Sequence, residues 1–252
     1  MRSAERRQVI VERLRGSAQV AVAELAQATG ASEMTVRRDL DVLAAHGVLR
    51  RVHGGAVPVV PTGVEPPFDA RLATSADTKQ SIAALVASMI SDGETVLLDS
   101  GTTALEVAKW LRDRPVTVMP LSLHAALALV DAPNVRILLP GGEPRPGELA
   151  LAGPLALASM RSLRFDVAVL GACAFSLDAG LTAFDLSDAE VKQQALAVSR
   201  RSILAADGSK WGHAALAHVC AAGDLGAIVT DESAPEEQRR QLAGLGVHVY
   251  VA

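Results

Sequence analysis

The sequence predicts an α/β protein in two parts: a small helical module that ends in a β-hairpin, and a larger domain with a mostly parallel β-sheet. Three observations predict this. Helical periodicity dominates the first 57 residues, prolines are concentrated at 58–67, and short apolar strands alternate with helices from residue 68 to residue 252. We therefore expect a first domain at 1–57, a linker at 58–67 and a second domain at 68–252.

The composition of this chain of 252 residues is that of a globular protein. Half of the residues are hydrophobic and 21% are charged, which supplies ample apolar material for packed cores. The charged amino-terminal stretch lacks the apolar segment of a signal peptide, and no stretch of about 18 residues has the character of a membrane span. The two cysteines, Cys173 and Cys220, exclude a disulfide framework and a four-cysteine zinc site. These features predict a cytoplasmic protein without a membrane partner, a metal or another cofactor.

Residues 1–57 contain three helical patterns, and a short turn separates the second from the third. In this turn Gly30 is typical of the residue that follows a helix, and Ser32 is typical of the N-cap of the next helix. Two helices joined in this way, at about residues 20–39, form a helix-turn-helix pattern.

The third helix has an apolar inner face and a polar outer face. At about 100° per residue, Val36, Leu40 and Leu43 fall within a narrow arc and are predicted to face the core. The outer face and its flanks carry Met34, Thr35, Arg37 and Arg38. Arginines on such a face suit entry into the major groove of DNA, and they are equally common as solvated surface residues.

A basic hairpin is predicted after this helix. Residues 48–57 contain two short strands around a glycine turn, with Arg51 and His53 placed to contact phosphates or a minor groove. A hairpin in this position is a wing. The first 57 residues carry nine arginines and six carboxylates, a net charge of +3, which leaves −7 for the rest of the chain. This asymmetry is typical of a DNA-binding module joined to a sensing domain.

The run SEMTVRRDLDVLAAHGVLRRVHGGAV, at residues 32–57, resembles the DNA-binding headpiece of the DeoR family of bacterial transcriptional regulators. The matching residues are Ser32, Thr35, Val36, Arg37, Arg38, Asp39, Leu40, Leu43, Arg51, His53, Gly54, Gly55 and Ala56. The resemblance implies a winged helix-turn-helix domain that binds a double-stranded DNA operator. The residues it implies at the DNA interface are Ser32, Met34, Thr35, Arg37, Arg38, Arg51 and His53.

In the second part, short apolar strands alternate with helices. Strands are predicted at 95–99, 116–119, 135–139, 166–170, 202–206, 227–230 and 247–251. Helices are predicted near 78–91, 102–113, 121–131, 188–200 and 235–243. This alternation predicts a mostly parallel sheet covered on both faces, in which ligands bind outside the carboxyl ends of the strands.

Polar, glycine-rich loops follow these strands. The first strand leads into a helix through Asp99, Ser100, Gly101, Thr102 and Thr103. N–H groups and the dipole at such a helix start favour an anion, although a Ser or Thr there also serves as a plain N-cap. A Walker lysine and a Gly-x-Gly-x-x-Gly pattern are both missing, which favours a single phosphate group over a nucleoside triphosphate or a dinucleotide. The other candidate residues in strand-end loops are Gly142, Gly171, Lys192, Asp207 and Lys210.

The second part also resembles the sensor domain of the DeoR family. The segments that match are Asp-Ser-Gly-Thr-Thr, a Gly-Gly turn, Gly-Leu-Thr with a downstream lysine, and Asp-Gly-Ser-Lys-Trp-Gly at 207–212. The resemblance implies a fold similar to ribose-5-phosphate isomerase and a phosphorylated sugar or related metabolite as the effector. One departure is Pro120-Leu121-Ser122, where the family usually has Thr-Asn-Ser, because it removes polar contacts to a sugar.

Two alternatives to a regulator stay open at this point. A sugar-phosphate isomerase-like enzyme fused to a DNA-binding headpiece would need a base, for which Asp99, Glu190 and Asp207 are candidates. A carboxylate beside a sugar hydroxyl is equally an acceptor for binding, so we expect no enzyme and no catalytic residue. A constitutive architectural DNA binder would leave the strand-end loops without a use. We expect a repressor of carbohydrate-metabolism genes that forms a homo-oligomer, a dimer or tetramer, on repeated half-sites.

Overall fold

The computed structural model describes residues 2–15, 20–45, 48–52, 54–58 and 64–252. The chain forms two compact units, Met1–Pro61 with Asp69–Thr74, and Thr62–Phe68 with Ser75–Ala252. Because the units interleave around the predicted linker, and residues 59–63 of that linker lie outside the described residues, the predicted domain bounds stay a prediction. No helix in the described part of the chain combines the length and the apolar character needed to cross a membrane.

The smaller unit combines helices with a small antiparallel sheet. Its elements in the described residues are α1 (Ser3–Arg15), β1 (Val20–Ala21), α2 (Val22–Thr29), α3 (Glu33–Ala45), β2 (Leu49–Val52) and β3 (Gly55–Pro58). β2 and β3 form the predicted wing hairpin, and β1, which was not predicted, pairs with the other side of β3. Gly55 allows this close approach, because a Cβ atom there would lie 2.3 Å from the carbonyl oxygen of Val20.

The core of the smaller unit contains the residues that helical periodicity predicts to be buried. These include Ile10, Leu14, Val22, Leu25, Val36, Leu40 and Leu43. Gly30 follows α2 in the left-handed conformation, with φ 63°, as predicted for a residue just past a helix end. The Oγ atom of Ser32 accepts a hydrogen bond of 3.3 Å from the N–H of Thr35 in the first turn of α3. The helix-turn-helix pattern is therefore confirmed as a structure.

The larger unit contains a central sheet, a smaller sheet and a short ribbon. Its strands are β4 (Thr95–Leu98), β5 (Thr117–Pro120), β6 (Arg136–Ile137), β7 (Glu143–Pro144), β8 (Leu151–Ala152), β9 (Phe165–Gly171), β10 (Ala174–Ser176), β11 (Gly180–Ala183), β12 (Ser199–Ala205), β13 (Ala217–Cys220), β14 (Ala227–Thr230) and β15 (His248–Val251). The helices after residue 64 are α4 (Phe68–Ala73), α5 (Ala76–Ser88), α6 (Thr102–Leu111), α7 (Leu123–Leu129), α8 (Pro154–Arg161), α9 (Leu186–Val198) and α10 (Glu236–Gly244), with 3-10 turns at Gly208–Lys210 and Ala222–Asp224.

The central sheet has seven strands in the order β15-β14-β12-β9-β4-β5-β6. All of its pairings are parallel, and its strands are the seven that the sequence predicts. Leu97 and Ala168 belong to one buried cluster, whereas their neighbours Val96 and Val167 belong to another. Because successive residues of a strand point to opposite faces, the two clusters lie on opposite faces of the sheet. The predicted fold class is confirmed.

The ribbon and the smaller sheet were not predicted. β7 pairs with β8, and β10, β11 and β13 form an antiparallel sheet. The ribbon is joined to the central sheet where β5 ends, since the N–H of Leu151 donates to the carbonyl oxygen of Leu121 over 2.8 Å. Unlike the equally short strands of the central sheet, these strands are not set off by α-helices along the chain, so the alternation of strands and helices did not indicate them.

Candidate functional site

The outer face of α3 presents the predicted DNA-contacting side chains to solvent. Met34 is 58% exposed, and Arg38 is exposed without an ion pair to any described residue. Arg37 is also exposed, but its Nη2 atom lies 2.7 Å from the Oε2 atom of Glu33, one turn earlier in the helix. Among the described residues, Arg38 is therefore the arginine of α3 that has no carboxylate partner.

Arg51, in strand β2 of the wing, is connected to α3. Its Nη1 atom donates to the Oδ1 atom of Asp41 over 2.5 Å and to the carbonyl oxygen of Arg37 over 3.0 Å. These bonds hold the hairpin against the helix that precedes it. His53 lies outside the described residues, so its contact with DNA stays a prediction.

Asp39 lies on the inner side of α3 and joins it to α1. Its carboxylate is 5% exposed, its Oδ2 atom lies 2.5 Å from the Nε atom of Arg6, and its Oδ1 atom lies 3.8 Å from the Nε atom of Arg7. Sequence reasoning matched Asp39 to a motif without giving it a role. The helical wheel held the signal, because Asp39 falls about 40° from Leu43, beside the arc of the core residues of α3, and a buried carboxylate there requires a partner.

Asp99 lies where the strand order of the central sheet reverses, between β4 and β9. The chain runs outward from β4 to β6 and then returns to β9 on the other side of β4. Asp99 is 1% exposed, its Oδ1 atom accepts from the N–H of Ser100 over 2.7 Å, and its Oδ2 atom accepts from the N–H of Gly171 over 2.8 Å. This reversal is where open α/β sheets bind ligands.

Lys192 projects from α9 to the same point. Its Nζ atom lies 2.9 Å from the Oδ2 atom of Asp99 and 2.7 Å from the Oδ1 atom of Asp188, and all three side chains are buried. Burial disfavours the ammonium, but the carboxylates of Asp188 and Asp99 outweigh burial and raise the pKa of Lys192. Burial raises the pKa of Asp99, an effect that Lys192 opposes. The structure thus brings Lys192 to the predicted site with its charge already shared by two carboxylates.

Cys173 contacts this buried cluster. Its Sγ atom lies 3.5 Å from the Oδ2 atom of Asp188. Burial, and then the negative charge of Asp188, raise the pKa of the Cys173 thiol to about 12. A thiol in this state is protonated at neutral pH and is a poor nucleophile.

Three of the residues predicted to bind the effector, Gly101, Thr102 and Thr103, lie at the start of α6. The N-cap position is Gly101, with φ 98° and no side-chain hydrogen bond to the helix, and Thr102 and Thr103 form the buried first turn. Because glycine stands at the N-cap, the structure does not show the plain Ser or Thr cap that the sequence left open. The helix begins directly after Ser100, beside the buried carboxylate of Asp99.

A small pocket, partly open to solvent, lies at this end of the sheet. The residues that line it are Asp99, Ser100, Leu121, Arg145, Ala150, Leu151, Ala152, Ser187, Asp188 and Val191. Asp99 and Ser100 were predicted. Arg145 was missed, although it stands three residues after the Gly-Gly turn that the sequence analysis recognised. Leu121, which replaces the family's usual polar residue, makes part of the wall apolar.

Gly142, Asp207 and Lys210 are not among the residues that line the pocket. Gly142 has a φ of 94°, and a Cβ atom there would lie 2.4 Å from the carbonyl oxygen of Ala152, so the β7–β8 ribbon requires glycine. Asp207 follows β12, and its Oδ1 atom accepts from the N–H of Ser209 over 2.9 Å. Lys210, in the same turn, is half-buried and forms no ion pair with a described residue.

Both parts of the chain match one protein family. Residues 6–61 match the DeoR-like helix-turn-helix domain, and residues 74–232 match the DeoR C terminal sensor domain. The chain belongs to the DeoR family. The resemblance predicted from the sequence is therefore confirmed.

Relatives of this DeoR-family protein align over nearly its whole length. It is 37% identical to the transcriptional repressor AccR of Agrobacterium fabrum, over 94% of this chain and 95% of the relative. It is 31% identical to the glycerol-3-phosphate regulon repressor of Escherichia coli, over 93% of each chain. Because these relatives are named as repressors and both domains match, the protein is a DNA-binding transcriptional regulator and not an enzyme.

A solved structure with a similar fold is ribose 5-phosphate isomerase A from Methanocaldococcus jannaschii. The identity is 15%, the match covers 55% of this chain and 56% of that chain, and the TM-score is 0.42. No conclusion about activity follows from a likeness at this level.

Proposed function

We propose that this DeoR-family regulator is a repressor of carbohydrate-metabolism genes whose hold on operator DNA is released or modulated by a phosphorylated sugar or related metabolite. The observation that carries the proposal is the polar site around Asp99, at the reversal of the strand order, next to a helix start without a side-chain cap. The name of the Escherichia coli relative, a glycerol-3-phosphate regulon repressor, supports an effector of this chemical class.

On the DNA side, α3 enters the major groove and the wing lies along the backbone. Arg38 reaches a phosphate or a guanine edge. The neighbouring contacts come from Ser32, Met34, Thr35 and Arg37, with Arg51 and His53 on the wing. The bonds from Arg51 to α3 keep the wing at a constant distance from the recognition helix, so that base contacts and phosphate contacts form together.

On the effector side, the N–H groups and hydroxyls of Gly101, Thr102 and Thr103 hold the phosphate at the start of α6. Ser100 and Gly171 shape the adjoining backbone. Asp99 and Asp207 accept from sugar hydroxyls, and Gly142 holds the ribbon beside the pocket. Lys210 supplies positive charge from the next loop. Lys192, whose charge is shared with Asp99 and Asp188, holds the carboxyl group of Asp99 in position.

Effector binding shifts the protein between DNA-competent and DNA-incompetent arrangements. We further propose that the protein acts as a homo-oligomer, a dimer or tetramer, in the cytoplasm, where bacterial operators are found.

The test begins with selection of the operator from random DNA duplexes by the purified protein. Phosphorylated sugars and polyols are then titrated at constant salt, each beside its unphosphorylated counterpart, while DNA affinity and product formation are measured. We expect one phosphorylated compound to change DNA affinity by about 5- to 150-fold, the usual size of an allosteric coupling, without any product. Failure to enrich any sequence would contradict the operator, and an effect shared by the unphosphorylated compounds would contradict a phosphate-specific effector.

A further inference from the structure

The segment of residues 64–68, which we call the connecting segment, contacts the larger unit through Glu65 and Phe68. The Oε2 atom of Glu65 lies 2.9 Å from the Nη1 atom of Arg145, and the two side chains are 15% and 19% exposed. The ring of Phe68 stacks on the imidazole of His124, with the ring centres 4.0 Å apart and the planes 10° apart. In the sequence this segment follows the wing, so it lies between the DNA-binding domain and the sensor domain.

Arg145 also lines the pocket, and hydrogen bonds and neighbouring prolines fix its backbone. It stands between Pro144 and Pro146 in a tight turn. Its N–H donates to the carbonyl oxygen of Ala150 over 2.8 Å, and its own carbonyl oxygen accepts from Leu149 over 2.9 Å. The backbone that carries the guanidinium is therefore ordered beside the pocket, which lowers part of the entropic cost of binding through this side chain.

The charges around the pocket leave Arg145 as the group that attracts an anion. Asp99 and Asp188 line the pocket and repel an anion, and Lys192 is already bonded to both of them. Glu65, the ion-pair partner of Arg145, does not line the pocket. Ser100 lines the same pocket and stands two residues before the start of α6.

We propose that Arg145 recognises the anionic group of the effector, and that this group replaces Glu65 as the partner of Arg145. The proposal rests on the proposed function and assigns a residue and a regulatory step to the same site. A guanidinium pairs with phosphate through two parallel hydrogen bonds, which makes phosphate a strong competitor for the carboxylate of Glu65. Once Glu65 is displaced, the connecting segment loses its ion pair with Arg145, and effector binding is coupled to the chain that leads to the DNA-binding domain.

If the effector and Glu65 compete for Arg145, substitution of Glu65 and substitution of Arg145 change effector affinity in opposite directions. Glu65→Gln removes the internal competitor and leaves Arg145 intact, so effector affinity rises by at least about two- to fivefold, since an exposed ion pair already has an effect of this size and this pair is largely buried. Arg145→Gln removes the recognising charge, so affinity falls by about ten- to a hundredfold. If the ion pair were only structural, both variants would lose stability and shift affinity in the same direction or leave it unchanged.

The experiment is calorimetric titration of the full-length wild type and variants with inorganic phosphate, glycerol 3-phosphate and ribose 5-phosphate, with glycerol and ribose as neutral controls. Glu94→Gln is the matched control variant, since it breaks the 2.6 Å contact of Glu94 with Arg201 directly before β4, at the opposite end of the strands from the pocket. A melting curve for each protein separates lost stability from changed affinity. We expect opposite shifts for Glu65→Gln and Arg145→Gln, and no shift for Glu94→Gln.

A second measurement uses the wild type alone and does not depend on whether a variant folds. Hydrogen exchange at the amides of the connecting segment is followed with and without the probe that binds best, and we expect faster exchange when the probe is bound. Unchanged or slower exchange overturns the displacement of Glu65, as do shifts of equal sign in the two variants. If no phosphorylated probe binds the wild type, the effector class in the proposed function is overturned, and this inference with it.

Discussion

At the scale of single residues, the arginines of the helix-turn-helix motif differ in what they contact within the protein. Arg37 pairs with Glu33 one turn earlier, and Arg51 is bonded to Asp41 and to the backbone of α3. Arg38 projects from the same helix without an ion pair to a described residue. We therefore expect Arg38 to contact DNA without first breaking an ion pair with a described residue, and to contribute more to DNA binding than Arg37 or Arg51.

We expect Arg38→Ala to weaken binding to the selected operator by about 1–3 kcal/mol, the value of a lost base-edge contact, with an unchanged melting temperature. The melting temperature is unaffected because the side chain is exposed and its loss leaves no cavity. Fluorescence anisotropy at a stated salt concentration measures the DNA affinity. Arg240→Ala, an exposed arginine of α10 that pairs with Glu237, is the control and should bind DNA like the wild type. Operator binding by Arg38→Ala at wild-type strength would show that the assigned recognition face is wrong.

The two lysines of the strand-end loops also differ in their surroundings. Lys192 is buried and shared by Asp99 and Asp188, whereas Lys210 is half-buried and forms no ion pair with a described residue. The same residue type in the same kind of loop therefore has an internal electrostatic role in one case and a charge available to a ligand in the other.

We expect Lys210→Ala to weaken binding of the effector by about ten- to a hundredfold, because a charge-assisted contact is lost. DNA binding in the absence of effector should survive. Calorimetric titration beside a melting curve makes the measurement, and Lys109→Ala is the control, since Lys109 pairs with Glu106 near the other end of α6. Unchanged affinity together with a lowered melting temperature would show that Lys210 only stabilises its loop.

At the scale of elements, the outer face of α3 is exposed to solvent, whereas its inner face attaches the helix to its own domain. Its outer face carries Arg38, and its inner face carries Asp39, which joins it to Arg6 of α1. A recognition helix has to be held firmly against its own domain, because base contacts depend on its angle and depth in the groove. The buried carboxylate provides this attachment one residue away from the proposed base-reading side chain.

We expect Asp39→Asn to lower the free energy of unfolding of the smaller unit by about 1.5–3 kcal/mol, the usual contribution of a hydrogen bond to a charged group. Asp41→Asn on the same helix is the matched control. Its carboxylate is 67% exposed and pairs with Arg51, so the change should cost less than about 1 kcal/mol. Urea denaturation of both variants gives the values. Equal losses in the two variants would contradict a structural role specific to Asp39.

The predictability of an element from the sequence follows its length and its periodicity. The strands of the central sheet were predicted because each is a short apolar run between helical patterns, as in the run that became β9. The β7–β8 ribbon was missed because its strands follow β6 without a helix between them, and its position depends on hydrogen bonds to the loop after β5. Arg145 was missed with it, since no strand-end pattern points to a residue in that turn.

At the scale of the whole molecule, the net charge differs in sign between the amino-terminal domain and the rest of the chain. The amino-terminal 57 residues carry a net charge of +3, and the remainder carries −7. A cationic domain attracts the DNA backbone, and an anionic remainder limits binding to DNA elsewhere on the protein.

We expect an even-numbered homo-oligomer on repeated half-sites of the operator, because one helix-turn-helix domain buries a small interface and most oligomers are symmetric. Light scattering of the protein with saturating operator gives the mass of the complex, and half-site spacing in the selected sequences gives an independent measure. A strictly monomeric complex at that concentration would contradict this prediction.

The sequence by itself determined the family, the two-part organisation, the parallel sheet and the exposed face of α3, because these follow from periodicity and from motifs within short stretches of chain. Only the tertiary structure decided which charges meet. Asp99 and Lys192 are far apart in sequence, and so are Glu65 and Arg145, yet each pair is in contact. The physical reason is that local patterns determine which elements form, whereas contact between their ends depends on strand order and on how helices cover the sheet. Whether a lysine is available to a ligand or already shared by two carboxylates is decided at that level.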